Sequence, residues 1–229
     1  MLGLPQYLIW LISFLLEACV VVCSVYRKEF IRYLPLNVYM IGAAIQGAGL
    51  YFCIHKFGFD SSKYVYYYYY SDSLLYVLMY FVIILFYQQV FKEMNVGRQI
   101  RTMAAALLAA TAFFSYIVVH QNKDHLTTRF VVELEQNLNF VGVVLMYLLW
   151  GAILKLRETR TRLIQLVLAL GVYFSATAGI YALRNLFPAL ELSFLRWLPP
   201  LVGTWLPLAW AYTIVKVPED AHLRPTRLL

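Results

Sequence analysis

The chain of 229 residues is dominated by apolar side chains: 62% of its residues are hydrophobic and only 14% are charged. A soluble globular domain carries about 25% charged residues, so this composition excludes an ordinary water-soluble domain. The net charge of +7 does not call for nucleic acid, because basic loops beside a bilayer meet anionic lipid headgroups.

Seven stretches of the chain are each long and apolar enough to cross a bilayer, which takes about 20 mostly apolar residues. Backbone groups in lipid must be paired internally, and the runs are continuously apolar, so we predict helices rather than a β-barrel. The predicted helices cover residues 5–26, 33–55, 70–91, 101–120, 130–155, 162–186 and 197–217. The expected fold is all-α, a polytopic membrane protein with a single seven-helix transmembrane domain over residues 1–229.

The first predicted helix contains one charged residue, Glu17. A carboxyl group at membrane depth is energetically costly and marks a candidate functional site. Its functional interpretations are a proton-coupled site, a counter-charge for a cationic ligand, or a switch. The structural alternative is a hydrogen bond that joins the first helix to Gln46 or to a neighbouring subunit.

Two helices carry small residues on one face. In the second helix Gly42 and Gly49 flank Gln46 at i, i+4 and i+7, and the sixth helix carries Gly171 and Gly179 on either side of Ser175. Small residues at this spacing let helix backbones approach closely in lipid. We expect these two helices at the crowded centre of the bundle, either for packing or to leave room for a ligand.

A run of tyrosines precedes the predicted third helix, from Tyr64 to Tyr70. Aromatic rings gather at membrane interfaces, so the run is typical of an aromatic belt, and a stacking platform for an outside ligand is the alternative. Asp72 follows directly, and we predict that it caps the start of the third helix.

Two polar lines run inward from the predicted outer surface. The third helix offers Asp72, Tyr76 and Tyr80, and the sixth offers Tyr173, Thr177 and Tyr181, followed by Arg184. Glu133 and Gln136 lie at a similar depth in the fifth helix. These residues are predicted to line an outward-facing polar pocket, in which Arg184 either pairs with Glu133 or Asp72 or recognises an anionic ligand.

The Lys and Arg residues predict the orientation, because positive residues favour the cytoplasmic side. Most of the 19 fall in alternate loops and the C-terminal tail. These inner cations are Arg27, Lys28, Arg32, Lys92, Arg98, Arg101, Lys155, Arg157, Arg160, Arg162, Lys216, Arg224 and Arg227. The opposite side holds Lys56, Lys63, Lys123, Arg129, Arg184 and Arg196. We therefore predict an N-terminus outside and a C-terminus in the cytoplasm.

Sequence signatures of common enzymes are missing from the chain. There is no HExxH motif, no Gly-Lys-Ser/Thr phosphate loop and no GxSxG elbow. No Lys lies in the middle of the seventh helix, where a retinal-type Schiff base would require one. We predict a protein that is not an enzyme and holds no metal or cofactor.

In topology, the outline resembles the seven-helix membrane regions that precede output domains in some bacterial sensor proteins. The missing catalytic signatures, the small-residue helix faces and the short basic cytoplasmic surface favour a sensor-like or accessory subunit that acts through partners in a membrane complex. We expect a multi-pass protein of the bacterial cytoplasmic membrane whose partners are the lipid bilayer and other membrane subunits or further copies of itself. The alternative is a small-solute or proton-coupled transporter that uses Glu17 and the outward-facing pocket.

Overall fold

The computed structural model describes residues 4–59, 61–94, 96–120, 126–186 and 197–222. Within these residues the chain forms seven α-helices, each long and apolar enough to cross a membrane, as predicted. The helices are α1 (Leu4–Tyr26), α2 (Leu34–Phe57), α3 (Ser62–Val90), α4 (Gly97–His120), α5 (Leu126–Lys155), α6 (Thr161–Leu186) and α7 (Leu198–Lys216). Of the cations used to predict the orientation, Lys123, Arg196, Arg224 and Arg227 lie outside the described residues.

The third helix begins at Ser62 rather than at position 70. Ser61 caps it, because its side-chain oxygen accepts a hydrogen bond from the backbone N–H of Tyr64 at 3.2 Å. Tyrosine is only a slightly weaker helix former than leucine, so the tyrosine run forms the first turns of α3. Asp72 lies inside the helix, and the prediction that it caps α3 is wrong.

Prolines mark the beginning and the interior of α7. Pro199 and Pro200 lie in its first turn, where backbone N–H groups have no partner within the helix, so the missing donors cost little. Pro207 lies inside the helix and cannot supply a hydrogen bond to the preceding turn. The helix begins at Leu198, one residue after its predicted start at position 197.

The contacts within the chain divide it into two compact units. Unit 1 comprises residues 1–30 and 143–229, and in it α7 packs against α1 and α6. Trp210 lies fully buried there and donates its indole N–H to the carbonyl of Leu166 at 3.1 Å. Gly171 on α6 packs so closely on Trp150 that a methyl group at this position would overlap the indole ring, whereas one at Gly179 would contact nothing.

Unit 2 comprises residues 31–142, and in it α3 packs against α2 and α4. The predicted small-residue face of α2 meets α3: Gly42 lies against Leu75 and Leu78, and Gly49 lies against Tyr67. The closeness of the two helices allows short polar side chains to reach across the contact. The core of unit 2 includes Leu36, Met40, Met79, Val82, Ile83 and Phe86.

Candidate functional site

Three polar side chains from three helices of unit 2 meet in one cluster, which we call the carboxyl cluster: Gln46, Asp72 and Glu135. The side-chain amide of Gln46 on α2 donates to Oδ1 of Asp72 on α3 at 3.3 Å. The carboxyl group of Asp72 also hydrogen-bonds to the carboxyl group of Glu135 on α5. Glu135 is buried and Asp72 half-buried.

A hydrogen bond between two carboxyl groups requires a proton on one of them, because ionised carboxylates only accept hydrogen bonds. Two like charges side by side are also unfavourable in a poorly solvated setting. The carboxyl cluster is therefore arranged to hold a proton between Asp72 and Glu135. Asp72 and Glu135 each lie about three turns from the start of their helix, in the half that the sequence predicts to face outward.

The buried face of α5 explains why Glu135, and not Glu133 or Gln136, reaches Asp72. Buried positions along α5 recur with a helical period, and Glu135 is one of them, together with Val131, Leu138, Asn139 and Met146. Glu133 and Gln136 lie off this stripe and are half-buried. The sequence prediction missed Glu135 because it selected polar residues by depth and did not follow the apolar periodicity that places one carboxylate inward.

The polar line predicted on α3 is packed into unit 2. Tyr76 and Tyr80 are both buried, with 8% and 2% of their surface exposed. The hydroxyl of Tyr80 donates to the backbone carbonyl of Ala104 on α4 at 3.1 Å. Another polar contact joins α4 to α5, where Asn137 donates to the buried hydroxyl of Ser115 at 3.0 Å.

The remaining predicted residues lie in unit 1. Glu17 is half-buried on α1, and its Oε1 accepts a hydrogen bond from the hydroxyl of Ser13 on the same helix at 3.4 Å. Along the α6 line, Thr177 donates to the carbonyl of Tyr173 at 2.9 Å, one turn earlier. Tyr173, Thr177 and Tyr181 are half-buried, and Arg184 is exposed.

Arg162 is the centre of a second cluster, the arginine clamp, formed with Glu29, Ile214 and Glu219. Only 1% of its side chain is exposed. Its Nη1 donates to Oε1 of Glu29 at 2.7 Å and to Oε2 of Glu219 at 2.8 Å, and its Nη2 donates to the backbone carbonyl of Ile214 at 3.1 Å. Hydrogen bonds of this kind, with both partners charged, are among the stronger ones in proteins.

The arginine clamp also satisfies the end of α7. The last carbonyls of a helix have no partner within the helix. Ile214 receives Arg162, and the next carbonyl, that of Val215, accepts a hydrogen bond from Nη2 of Arg27 at 2.5 Å. Two guanidinium groups therefore meet the negative end of the α7 dipole, which is the favourable arrangement for cations.

The turn that ends α1 places Glu29 beside Arg162. Lys28, just after α1, has a positive φ of 59°, a conformation that glycine usually supplies at this position. The N–H of Lys28 bonds to the carbonyl of Val25, and that of Glu29 bonds to the carbonyl of Ser24, which is the Schellman pattern. The same pattern follows α5, where Arg157 has a φ of 52° and Glu158 takes the place of Glu29.

The segment after α7, residues 217–222, lies against the start of α6. The N–H of Thr161 donates to the carbonyl of Ala221 at 2.9 Å, and the hydroxyl of Thr159 lies 3.0 Å from Nδ1 of His222. Beside it, the side-chain bond from Arg160 holds the pKa of Glu158 below its usual value, since the two form an ion pair at 2.5 Å.

No family model matches this chain, and neither a curated protein nor a solved structure matches it. Its function has to be inferred from its own residues. In the part of the chain that the structure describes, no three His, Cys, Asp or Glu side chains are grouped to hold a metal ion.

The sequence prediction counted Arg162 only as a loop cation and missed the arginine clamp. One signal was present: a cation in the first turn of a helix opposes the helix dipole, so Arg162 at the start of α6 needs a compensating partner. Glu29 and Glu219 are distant in sequence, and only the folded chain brings them to it.

Proposed function

We propose that this chain is a multi-pass membrane protein that works without covalent chemistry, as a sensor-like or accessory subunit acting through partner proteins in a membrane complex. The seven apolar helices support the membrane setting. The charge distribution supports an N-terminus outside and a C-terminus inside, and a bacterial cytoplasmic membrane is the proposed location.

The observation that carries the proposal is that several polar side chains of unit 2 hydrogen-bond from one helix to another. Gln46 bonds to Asp72, Asp72 bonds to Glu135, and Tyr80 bonds to the backbone of α4. A solute site needs polar groups that face an open path. A packed network instead favours a bundle whose helix contacts change with the state of the carboxyl cluster.

In this proposal the carboxyl cluster is the responsive element. With one proton, Asp72 and Glu135 hydrogen-bond and hold α3 against α5. Without it, two carboxylates repel each other in a poorly solvated place, which favours separation of the helices or entry of water. Because both lie in the half of their helices predicted to face outward, the cluster would respond to conditions outside the cell.

The alternative function is a proton-coupled transporter of a small solute. The same shared proton favours it, because carboxyl groups inside membrane helices commonly carry protons in pumps and transporters. In that function Asp72 and Glu135 release the proton during each transport cycle, and Glu17 is a second candidate carrier.

One experiment separates the two functions. The chain is purified gently from its native membrane, examined by native mass spectrometry, and reconstituted alone into proteoliposomes for proton and solute flux measurements. The proposal expects a particle that contains other membrane subunits and no flux from the isolated chain. A lone chain that moves protons or solute, and loses that flux in Asp72→Asn, contradicts it and establishes the transporter.

A further inference from the structure

We infer that residues 217–222 form a releasable strap, closed over the ends of α6 and α7 by Glu219. The inference goes beyond the proposed function and concerns unit 1 alone. A short segment without helix or strand stays ordered only where contacts with neighbouring elements tie it down. Here the ties include the salt bridge from Glu219 to Arg162, the hydrogen bond from Thr161 to Ala221 and the contact between Thr159 and His222.

Among the described residues, Arg162 forms salt bridges with two carboxylates, so it can lose one of them and keep the other. A buried cation with one partner is strongly destabilised when that partner leaves, because the charge is then uncompensated. When Glu219 leaves, Arg162 keeps Glu29 at 2.7 Å and the carbonyl of Ile214 at 3.1 Å. Arg162 therefore keeps an oppositely charged partner with the strap closed and with it open.

The exposure of the two carboxylates identifies which partner leaves. Glu29 has 17% of its side chain exposed, and Glu219 has 27%. Glu219 is carried by a short segment after the last turn of α7, whereas Glu29 is fixed by the Schellman turn that ends α1. Glu219 is therefore the carboxylate that can move into water with the smaller change of the surrounding structure, since it is the more exposed of the two.

The two glutamates should consequently act in opposite directions on the strap. Removing the charge of Glu219 takes away the tie and opens the strap. Removing the charge of Glu29 leaves the salt bridge between Glu219 and Arg162 in place. It also removes the repulsion between the carboxylates of Glu29 and Glu219, so the strap is held at least as firmly. A merely structural cluster would be loosened by either change.

The test is amide hydrogen exchange of residues 217–222, measured by mass spectrometry on the full chain in nanodiscs. Glu219→Gln is expected to raise the exchange rate at least about tenfold, the loss that follows from removing a hydrogen bond between charged groups. Glu29→Gln is expected to leave the rate unchanged or lower it. Asp220→Asn is the matched control, since Asp220 is exposed on the same segment, and its rate should match the unsubstituted chain.

Equal protection in Glu219→Gln and the unsubstituted chain overturns the strap, and so does faster exchange in Glu29→Gln or an equal rise in Asp220→Asn. Exchange of the α6 and α7 core amides around Trp210 reports whether the chain stays folded. These amides should exchange slowly in Glu219→Gln. Fast exchange there would show general unfolding and not release of the strap, and would also overturn the inference.

Discussion

In the described residues, two charged side chains are buried, Arg162 and Glu135, and each meets its partners on other elements. A buried charge without partners is costly, so their environments have to supply compensation. Arg162 is compensated by opposite charge, from Glu29 and Glu219. Glu135 lies against the carboxyl group of Asp72, where one proton held between the two groups would remove the repulsion of like charges. The protein thus accommodates a buried cation and a buried carboxyl group in two different ways.

The shared proton is directly observable by infrared spectroscopy. A protonated carboxyl group has a carbonyl stretching band that an ionised one lacks. At neutral pH we expect this band to lose intensity in Glu135→Gln, because the amide replaces the protonated pair. Glu133→Gln is the control: Glu133 lies on the same helix, two residues before Glu135 and outside the carboxyl cluster. This variant should keep the band. Equal spectra for all three proteins would show that Asp72 and Glu135 hold no proton.

At the scale of the elements, hydropathy and charge position the helices well, because an apolar run of membrane length has few other stable structures. The predicted start of α3, at position 70, is eight residues too late. Ser61 caps the helix, and the seven residues from Tyr64 to Tyr70 all tolerate helical structure, so the helix extends through the tyrosine run. The small-residue face of α2 was predicted from Gly42 and Gly49, and the structure confirms its close contact with α3. The partner helix itself was not predictable, because spacing identifies a face but not what lies opposite.

The contact between α5 and α6 provides a test of packing at this scale. Gly171→Ala is expected to lower the free energy of unfolding by about 1–3 kcal/mol, because the added methyl group overlaps the ring of Trp150. Gly151→Ala is the matched control, since a methyl group there meets nothing within 4 Å. Reversible unfolding in mixed micelles measures both. Equal stability of the two variants would contradict the tight contact, and rescue of Gly171→Ala by Trp150→Phe would support it.

For the whole molecule, the sequence predicts more about topology than about the sites. Charge counting gives an orientation from local composition alone. The carboxyl cluster and the arginine clamp depend on residues far apart in the chain, such as Arg162 with Glu29 and Gln46 with Asp72. Among the residues predicted for a site, Gln46 and Asp72 hydrogen-bond between two helices, whereas Thr177 bonds to the backbone of Tyr173 on its own helix.

The proposed orientation can be checked with single cysteines in a background where Cys19, Cys23 and Cys53 are replaced by alanine. Lys63→Cys, at the start of α3, is expected to react with a membrane-impermeant maleimide on intact cells. Lys28→Cys, after α1, should react only when the membrane is permeabilised. Both positions are exposed, so access to reagent depends on the side of the membrane. The reverse pattern would invert the topology, and labelling of both on intact cells would contradict it.

The length of α3 has a consequence for how the chain would sit in lipid. Its 29 residues measure about 43 Å, and the hydrocarbon core of a bilayer is about 30 Å thick. Stacked tyrosines such as Tyr66 and Tyr70, with ring centroids 6.2 Å apart, would anchor one end of the helix at the headgroups of a bilayer. The surplus length is taken up by tilt or by protrusion, both of which change with bilayer thickness. Hydrophobic mismatch would thus act on the helix that carries Asp72.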